Sequence, residues 1–264
     1  MTVPYLVALD LDGTTINHAG ELSAVVRDAV REVIAAGHHV IIATGRSIVA
    51  TSTILDELGI SRGYAVCSNG AVTLELDPLE PTGFRIIEAV TFDPAPALNL
   101  LRAEWPDAVV AVEELGVGFK LSAPFPDGEL QGELRVVTWE ELVADPVTRV
   151  TFRAPNGTAE DFLALTERIG LHGVSYAVGF SAWLDLNPEG VSKGSALEIL
   201  RRRLDVDPRY TLAVGDQRND VEMLHWAARG VAMGNAPDAV KAVADEVTLD
   251  VDEDGLVPVL RSLL

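Results

Sequence analysis

The chain has 264 residues, 48% of them hydrophobic and 23% charged, a composition that folds rather than staying disordered. Forty acidic against twenty basic side chains give a formal charge of -20, which repels nucleic acid and anionic membrane and excludes both as default partners. A site for phosphate in so acidic a chain needs local positive charge or a metal ion to offset the background.

The length predicts one or two domains. No apolar run approaches the roughly 18 residues of a spanning helix, and Met1-Thr2-Val3-Pro4-Tyr5 carries no basic stretch of a signal peptide. A single cysteine, Cys67, excludes an internal disulfide framework and fits a reducing compartment, so a cytoplasmic protein is expected.

In chain order, Tyr5–Asp10 is a short apolar run ending in acid, as in a buried parallel strand. Glu21–Ala36 places Leu22, Val25, Val26, Ala29, Val30, Val33 and Ile34 at helical spacing, with Gly37 at the C-terminal cap. His39–Thr44 predicts a second strand, Ser47–Leu58 a second helix closed by Gly59, and Tyr64–Ser68 a third strand. His38 and His39 fall in a link and are expected to be solvated, and Cys67 to be packed. From about Thr82 prolines gather, and strands at Arg85–Phe92, Val109–Glu113 and Gly118–Ser122 join helices at Ala95–Glu104 and Ala159–Ile169. The first texture returns after Lys193: helix Gly194–Leu204, strand Thr211–Gly215, a short helix after Asp220, strand Gly230–Met233 and helix Asp238–Ala244. The pattern predicts an α/β fold, a doubly wound parallel sheet made by residues 1–81 and 187–264, with an α+β domain inserted at 82–186.

Four short motifs fall at strand ends or helix starts of that sheet. Asp10-Leu11-Asp12-Gly13-Thr14-Thr15 follows the first strand, where ligands of such sheets bind, and Gly13 allows close backbone approach. Thr44-Gly45-Arg46 offers a hydroxyl, a bare backbone and a guanidinium, a set suited to phosphate. Lys193 opens a helix, where its ammonium and the helix N-terminus favour an anion. Gly215-Asp216-Gln217-Arg218-Asn219-Asp220 supplies carboxylates that join Asp10 as hard oxygen ligands for Mg2+. Each motif alone reads as a turn, a cap or a solvated charge. Together they define one phosphate-and-metal site.

In this order the motifs resemble those of the haloacid dehalogenase (HAD) superfamily: Asp10–Thr14, Thr44, Lys193 and Gly215–Asp220. Ser68-Asn69-Gly70-Ala71, Asn187–Gly194 and Gly230–Ala236 resemble the Cof-type phosphatases, whose type-two (C2B-like) cap is inserted between the second and third motifs. Gln217-Arg218 departs from the pattern, which usually has Gly first. The resemblance implies a Rossmann-like core with a cap and a Mg2+-dependent phosphatase. In it Asp10 attacks phosphorus to form an aspartyl-phosphate, and Asp12 protonates the leaving oxygen and then activates water. Mg2+ is held by Asp10, the backbone carbonyl of Asp12 and Asp216, and Asp220 orients Lys193 or metal-bound water. Thr44, Gly45 and Asn219 hold phosphate oxygens, Lys193 sits between nucleophile and phosphate, and Arg46 contacts substrate. The implied substrate is a small phosphorylated metabolite, a sugar phosphate or a cofactor such as FMN or pyridoxal phosphate. A hexose-phosphate mutase of the phosphomannomutase kind is the alternative, and a phospho-acceptor signalling module a remote one.

Two look-alike motifs are set aside. Gly190-Val191-Ser192-Lys193-Gly194 matches the esterase G-x-S-x-G, but Asn187-Pro188-Glu189 breaks the strand that motif needs before the Ser. Asp250–Gly255 copies half a calcium loop, yet its twelfth position is Arg261, so it is expected to be a polar turn before the last helix.

Overall fold

The apolar run after Tyr5 becomes strand β1, Leu6–Leu9, buried on both sides. The computed structural model describes residues 3–154, 158, 161, 174–178 and 183–264. By its contacts the chain divides into two units, Met1–Gly45, Thr51–Glu88 and Ser192–Leu264 in the first, Arg46–Ala50 and Ala89–Val191 in the second. Against the expected limits, 82–88 joins the first unit and 187–191 the second. The reason is pairing: β5 (Phe84–Ala89) lies beside β4 (Val72–Leu76), and β11 (Trp183–Pro188) pairs through Pro188 with β10 (Val174–Val178).

The first unit is an eight-stranded sheet in the order β14-β13-β12-β1-β2-β3-β4-β5. Here β2 is His39–Ala43, β3 Gly63–Cys67, β12 Thr211–Gly215, β13 Arg229–Ala232 and β14 Glu246–Val247. Strands β14 to β3 pair in parallel, and β4 turns back antiparallel to β3. Side chains alternate across each strand. Leu6 and Ala8 of β1 therefore share one core with Ile41, Ala43 and Val66, roofed by Ala196, Leu197 and Leu200 of α5 (Lys193–Arg203) and Met223 and Leu224 of α6 (Val221–Trp226). Helix α1, Ala24–Ala35, starts later than its periodicity predicts because Ser23 caps it, accepting from the Val25 N–H. It buries Val26, Ala29, Val30 and Val33 and lies against α8, Leu256–Arg261. Helix α2 is Ile48–Leu58, and α7, Asp238–Lys241, is shorter than expected.

The strand order places the crossover of the chain between β1 and β12. From β1 the chain proceeds outward through β2 and β3, and on its return it fills the other side. At such a crossover the loops leave in opposite directions and open a crevice at the carboxyl ends of the strands. Asp10 follows β1 and Asp216 follows β12, with Leu9 registered against Val214 and the Asp10 N–H donating to the Val214 carbonyl at 3.0 Å.

The second unit is a six-stranded sheet, β10-β11-β9-β6-β7-β8, where β6 is Val109–Glu114, β7 Gly118–Leu121, β8 Glu133–Val136 and β9 Val150–Arg153. It is antiparallel except for β7 and β8, which pair in parallel. Leu98 and Leu101 of α3 (Ala95–Glu104) and Leu142 of α4 (Trp139–Leu142) pack with Val110, Phe152, Leu184 and Leu186. Of the helix expected at Ala159–Ile169 only Asp161 is among the described residues, so that expectation lies outside them. His38 is not solvated as expected: it is buried, its Nδ1 accepts the Tyr5 N–H at 3.0 Å, and its ring meets Tyr5 edge-on. Cys67 is fully buried. Asp250–Gly255 forms the expected turn before α8, with Asp254 left-handed. Among the described residues no helix is long and apolar enough to cross a membrane.

Candidate active site

The site is built by loops leaving β1, β2, β3, β12 and β13 and by the first turn of α5. Ser192 begins α5, its hydroxyl accepting the Ser195 N–H, and that cap makes Lys193 the first helical residue. No strand runs into Ser192, so the nucleophile-elbow geometry is absent there. Lys193 is wholly buried, and its Nζ donates to Asp10 Oδ1 at 2.6 Å and to Asp220 Oδ1 at 2.7 Å. A buried ammonium is tolerated only with such partners. Burial opposes its charge, but the two carboxylates outweigh burial and raise the Lys193 pKa above the ordinary lysine range.

Asp10, Asp216 and Asp220 are all buried, and one ligand atom from each lies within 4.8 Å of the others. Their capacities differ. Asp220 Oδ1 takes Lys193, and its Oδ2 takes the N–H groups of Asp216 at 3.0 Å and Gln217 at 2.8 Å. Asp220 thereby closes the loop after β12 and bonds Lys193. Asp216 is different: its Oδ2 accepts side-chain amides, while its Oδ1 is buried and has no hydrogen-bond partner among the described residues. Burial pushes the Asp216 carboxyl up to about 6. Burial, and next the charge of Asp220, hold the Asp10 carboxyl well above the usual range. Three buried carboxyl groups share one ammonium, so full ionisation would leave two negative charges uncompensated, which is why Asp10 and Asp216 hold their protons more tightly than usual. An orphaned carboxylate oxygen among clustered buried carboxyl groups fits a divalent cation with hard oxygen ligands, whose charge would offset theirs.

Asp12 lies apart from these carboxylates in exposure: it is exposed on the turn two residues beyond Asp10, where its backbone bridges to Ile16. Gly13 beside it has φ +78°, and a Cβ there would fall 2.4 Å from Asp216 Oδ2, so a bare backbone is required. Thr44 is buried directly after β2, its N–H on the Val66 carbonyl and its own carbonyl on the Asn69 N–H. A Cβ on Gly45 would stand 3.0 Å from Asn69 Oδ1. Asn219 donates to that same Asn69 Oδ1 at 2.9 Å, so Asn69 meets Thr44 through its backbone N–H and Gly45 and Asn219 through its side chain. Arg46 is half-buried and opens Arg46–Ala50, which groups with the second unit.

Three residues at this site were not among the sequence candidates. Asn69 sits in the left-handed region at φ 55°, which Asn tolerates better than most residues, and its Asn-Gly sequence after a strand was the available signal. Gln217, the departure in the fourth motif, turns its amide to Asp216 Oδ2 at 2.9 Å. Asn235 reaches the same oxygen at 3.1 Å.

A haloacid dehalogenase-like hydrolase family model matches residues 7–101 and 139–260, and the chain belongs to that family. Within it the chain is an enzyme of the phosphatase class. It is 29% identical to phosphatase YwpJ of Bacillus subtilis (strain 168) over 98% of this chain and 99% of that one. It is 25% identical to the 5-amino-6-(5-phospho-D-ribitylamino)uracil phosphatase YcsE of the same organism, over 97% of this chain and 94% of that one. Its fold superposes on the structure of a haloacid dehalogenase-like hydrolase from B. subtilis with a TM-score of 0.83, at 26% identity, covering 98% of this chain and all of the other. The HMP-PP phosphatase of Yersinia pseudotuberculosis (strain IP 31758) is 26% identical over 88% of this chain and 84% of its own length.

Proposed function

We propose that this chain is a Mg2+-dependent phosphomonoester hydrolase acting on a small phosphorylated metabolite through an aspartyl-phosphate on Asp10. The observation that carries the reading is the Lys193 ammonium clamped between Asp10 and Asp220, in a cluster with Asp216, whose Oδ1 has no hydrogen-bond partner among the described residues. Two relatives named for phosphorylated metabolites, YcsE and the HMP-PP phosphatase, support the substrate class.

Asp10, Asp216 and the Asp12 carbonyl would hold the cation, which when bound supplies positive charge to offset that of the transferring phosphoryl group. A carboxylate oxygen of Asp10 forms a bond to phosphorus as the bond from phosphorus to the leaving oxygen breaks. The exposed Asp12 gives its proton to that oxygen. Water then attacks phosphorus, Asp12 takes its proton, and the bond from Asp10 to phosphorus breaks to free phosphate. Lys193 holds Asp10 in place and adds fixed positive charge, as preorganised electrostatics require. Thr44, the Gly45 backbone and Asn219 receive phosphate oxygens, and Arg46 contacts the rest of the substrate. The second unit serves as the cap, and the setting is cytoplasmic.

The test is phosphate release from sugar phosphates, nucleotides, FMN and pyridoxal phosphate, with Mg2+, with EDTA, and with Asp10→Asn. Release that needs Mg2+ and is lost in the variant supports the reading. No release, with interconversion of hexose phosphates primed by a bisphosphate, makes the chain a mutase instead.

A further inference from the structure

Every polar atom of the Asn235 side chain is engaged, and its partners come from three separate loops. Oδ1 accepts the N–H of Val251, in the turn before α8, at 3.0 Å. Nδ2 donates to the carbonyl of Gly13 at 2.8 Å and to Oδ2 of Asp216 at 3.1 Å. A backbone N–H can only donate and a backbone carbonyl can only accept, so Val251 and Gly13 fix which end of the amide faces which way. The NH2 end therefore has to face Asp216. Gln217 brings a second amide to the same Oδ2 at 2.9 Å. Two neutral donors thus fill Oδ2, while Oδ1 of the same carboxylate is buried with no hydrogen-bond partner among the described residues.

We infer that Asn235 and Gln217 are positioning residues that lock the Asp216 carboxylate so that Oδ1, and not Oδ2, is presented to the divalent cation. The inference rests on the Mg2+ reading above and adds to it the residues that orient the ligand. Amide donors suit the task because they fix the carboxylate without neutralising the charge the cation needs. Groups that orient metal ligands in this way are worth about 10–100-fold in metal affinity when removed. Gly13 belongs to the same arrangement, since a Cβ there would displace the oxygen that the two amides hold.

The test is calorimetric titration of Mg2+ into the EDTA-stripped full chain, as wild type and as Asn235→Ala, Gln217→Ala and Asp216→Asn. Thermal unfolding with and without Mg2+ and KM for a phosphate ester at saturating Mg2+ accompany it. Asp216→Asn is expected to lose binding. Asn235→Ala and Gln217→Ala are each expected to weaken Mg2+ by about ten-fold or more, with KM for the ester unchanged. A merely structural role would lower the unfolding temperature of the metal-free form and leave the Mg2+ dissociation constant alone. Wild-type Mg2+ affinity in both variants overturns the inference, and Gln217→Ala decides by itself if Asn235→Ala does not fold. A wild type that binds no more Mg2+ than Asp216→Asn overturns the metal reading as well, and that result is distinct from unchanged affinity in the two amide variants.

Discussion

Nζ of Lys193 stands 2.6 Å from Oδ1 of Asp10, although 183 residues separate them in sequence. The contact joins the first strand of the sheet to the first turn of α5, the helix that returns the chain to that sheet after the second unit. The same ammonium bonds Asp220, so one cation holds together the loops after β1 and β12.

Replacing Lys193 by Met leaves Asp10 and Asp220 buried without their shared counter-charge. Breaking a buried ion pair from one side costs about 3–5 kcal/mol, and losing a preorganised charge at the reacting group lowers turnover on the order of 10²-fold or more. Urea unfolding and phosphate release measure the two effects. Lys193→Arg is expected to rescue neither, because a larger planar guanidinium does not repeat the two short bonds that a buried ammonium makes to Asp10 and Asp220. A stable, active Met variant would contradict this role.

The pH dependence follows from the carboxyls. Burial raises Asp216 to about 6 and raises Asp10 as well. A carboxyl whose folded pKa exceeds its unfolded value of about 3.9 favours the folded state below that value. The contribution is lost as pH rises through the folded pKa, so in metal-free protein the Asp216 contribution is lost from about pH 4 to about pH 6, and Asp10 acts in the same direction. Protons and Mg2+ compete for the same oxygens. The rise in unfolding temperature on adding Mg2+ is therefore expected to be larger at about pH 7 than at about pH 5, and to vanish in Asp216→Asn. Equal rises at both pH values would count against it.

Gly13→Ala combines two penalties. The left-handed backbone costs about 1–2 kcal/mol for a residue with Cβ, and that Cβ would lie 2.4 Å from Asp216 Oδ2. We expect lower stability together with weaker Mg2+ activation of phosphate release. Gly37, also at positive φ but with open space around a built Cβ, is the control: Gly37→Ala is expected to share the stability loss and keep the Mg2+ response.

Much of this was legible because the signals are local. Ala95–Glu104 and Thr211–Gly215 form the elements their periodicity predicts, bounded by Pro94 and by the loop at Asp216. The end of β1 was equally clear, since an apolar run stopped by two Asp and a Gly has few other uses. What was hidden depends on partners distant in sequence. Strand β8 has all four residues exposed, so no alternation betrays it, and only the parallel ladder to β7 makes it a strand. Asn235 and Asn69 are short polar residues in loops, where turn chemistry explains them fully until Asp216 and Asn219 are folded against them. His38 misled for the same reason: in sequence it is a polar residue in a link, and only the Tyr5 N–H gives it a buried partner.

In the proposed reaction Asp10 carries the phosphoryl group and Asp12 moves the protons. The most direct measurement is acid quenching of Asp12→Ala during turnover of a good substrate, with Mg2+ present, followed by mass analysis of the peptide that contains residue 10. Phosphate is expected covalently bound to Asp10, accumulating in Asp12→Ala and missing from the Asp10→Asn control. Phosphate release by Asp12→Ala at the wild-type rate, or phosphate trapped on a residue other than Asp10, would contradict it.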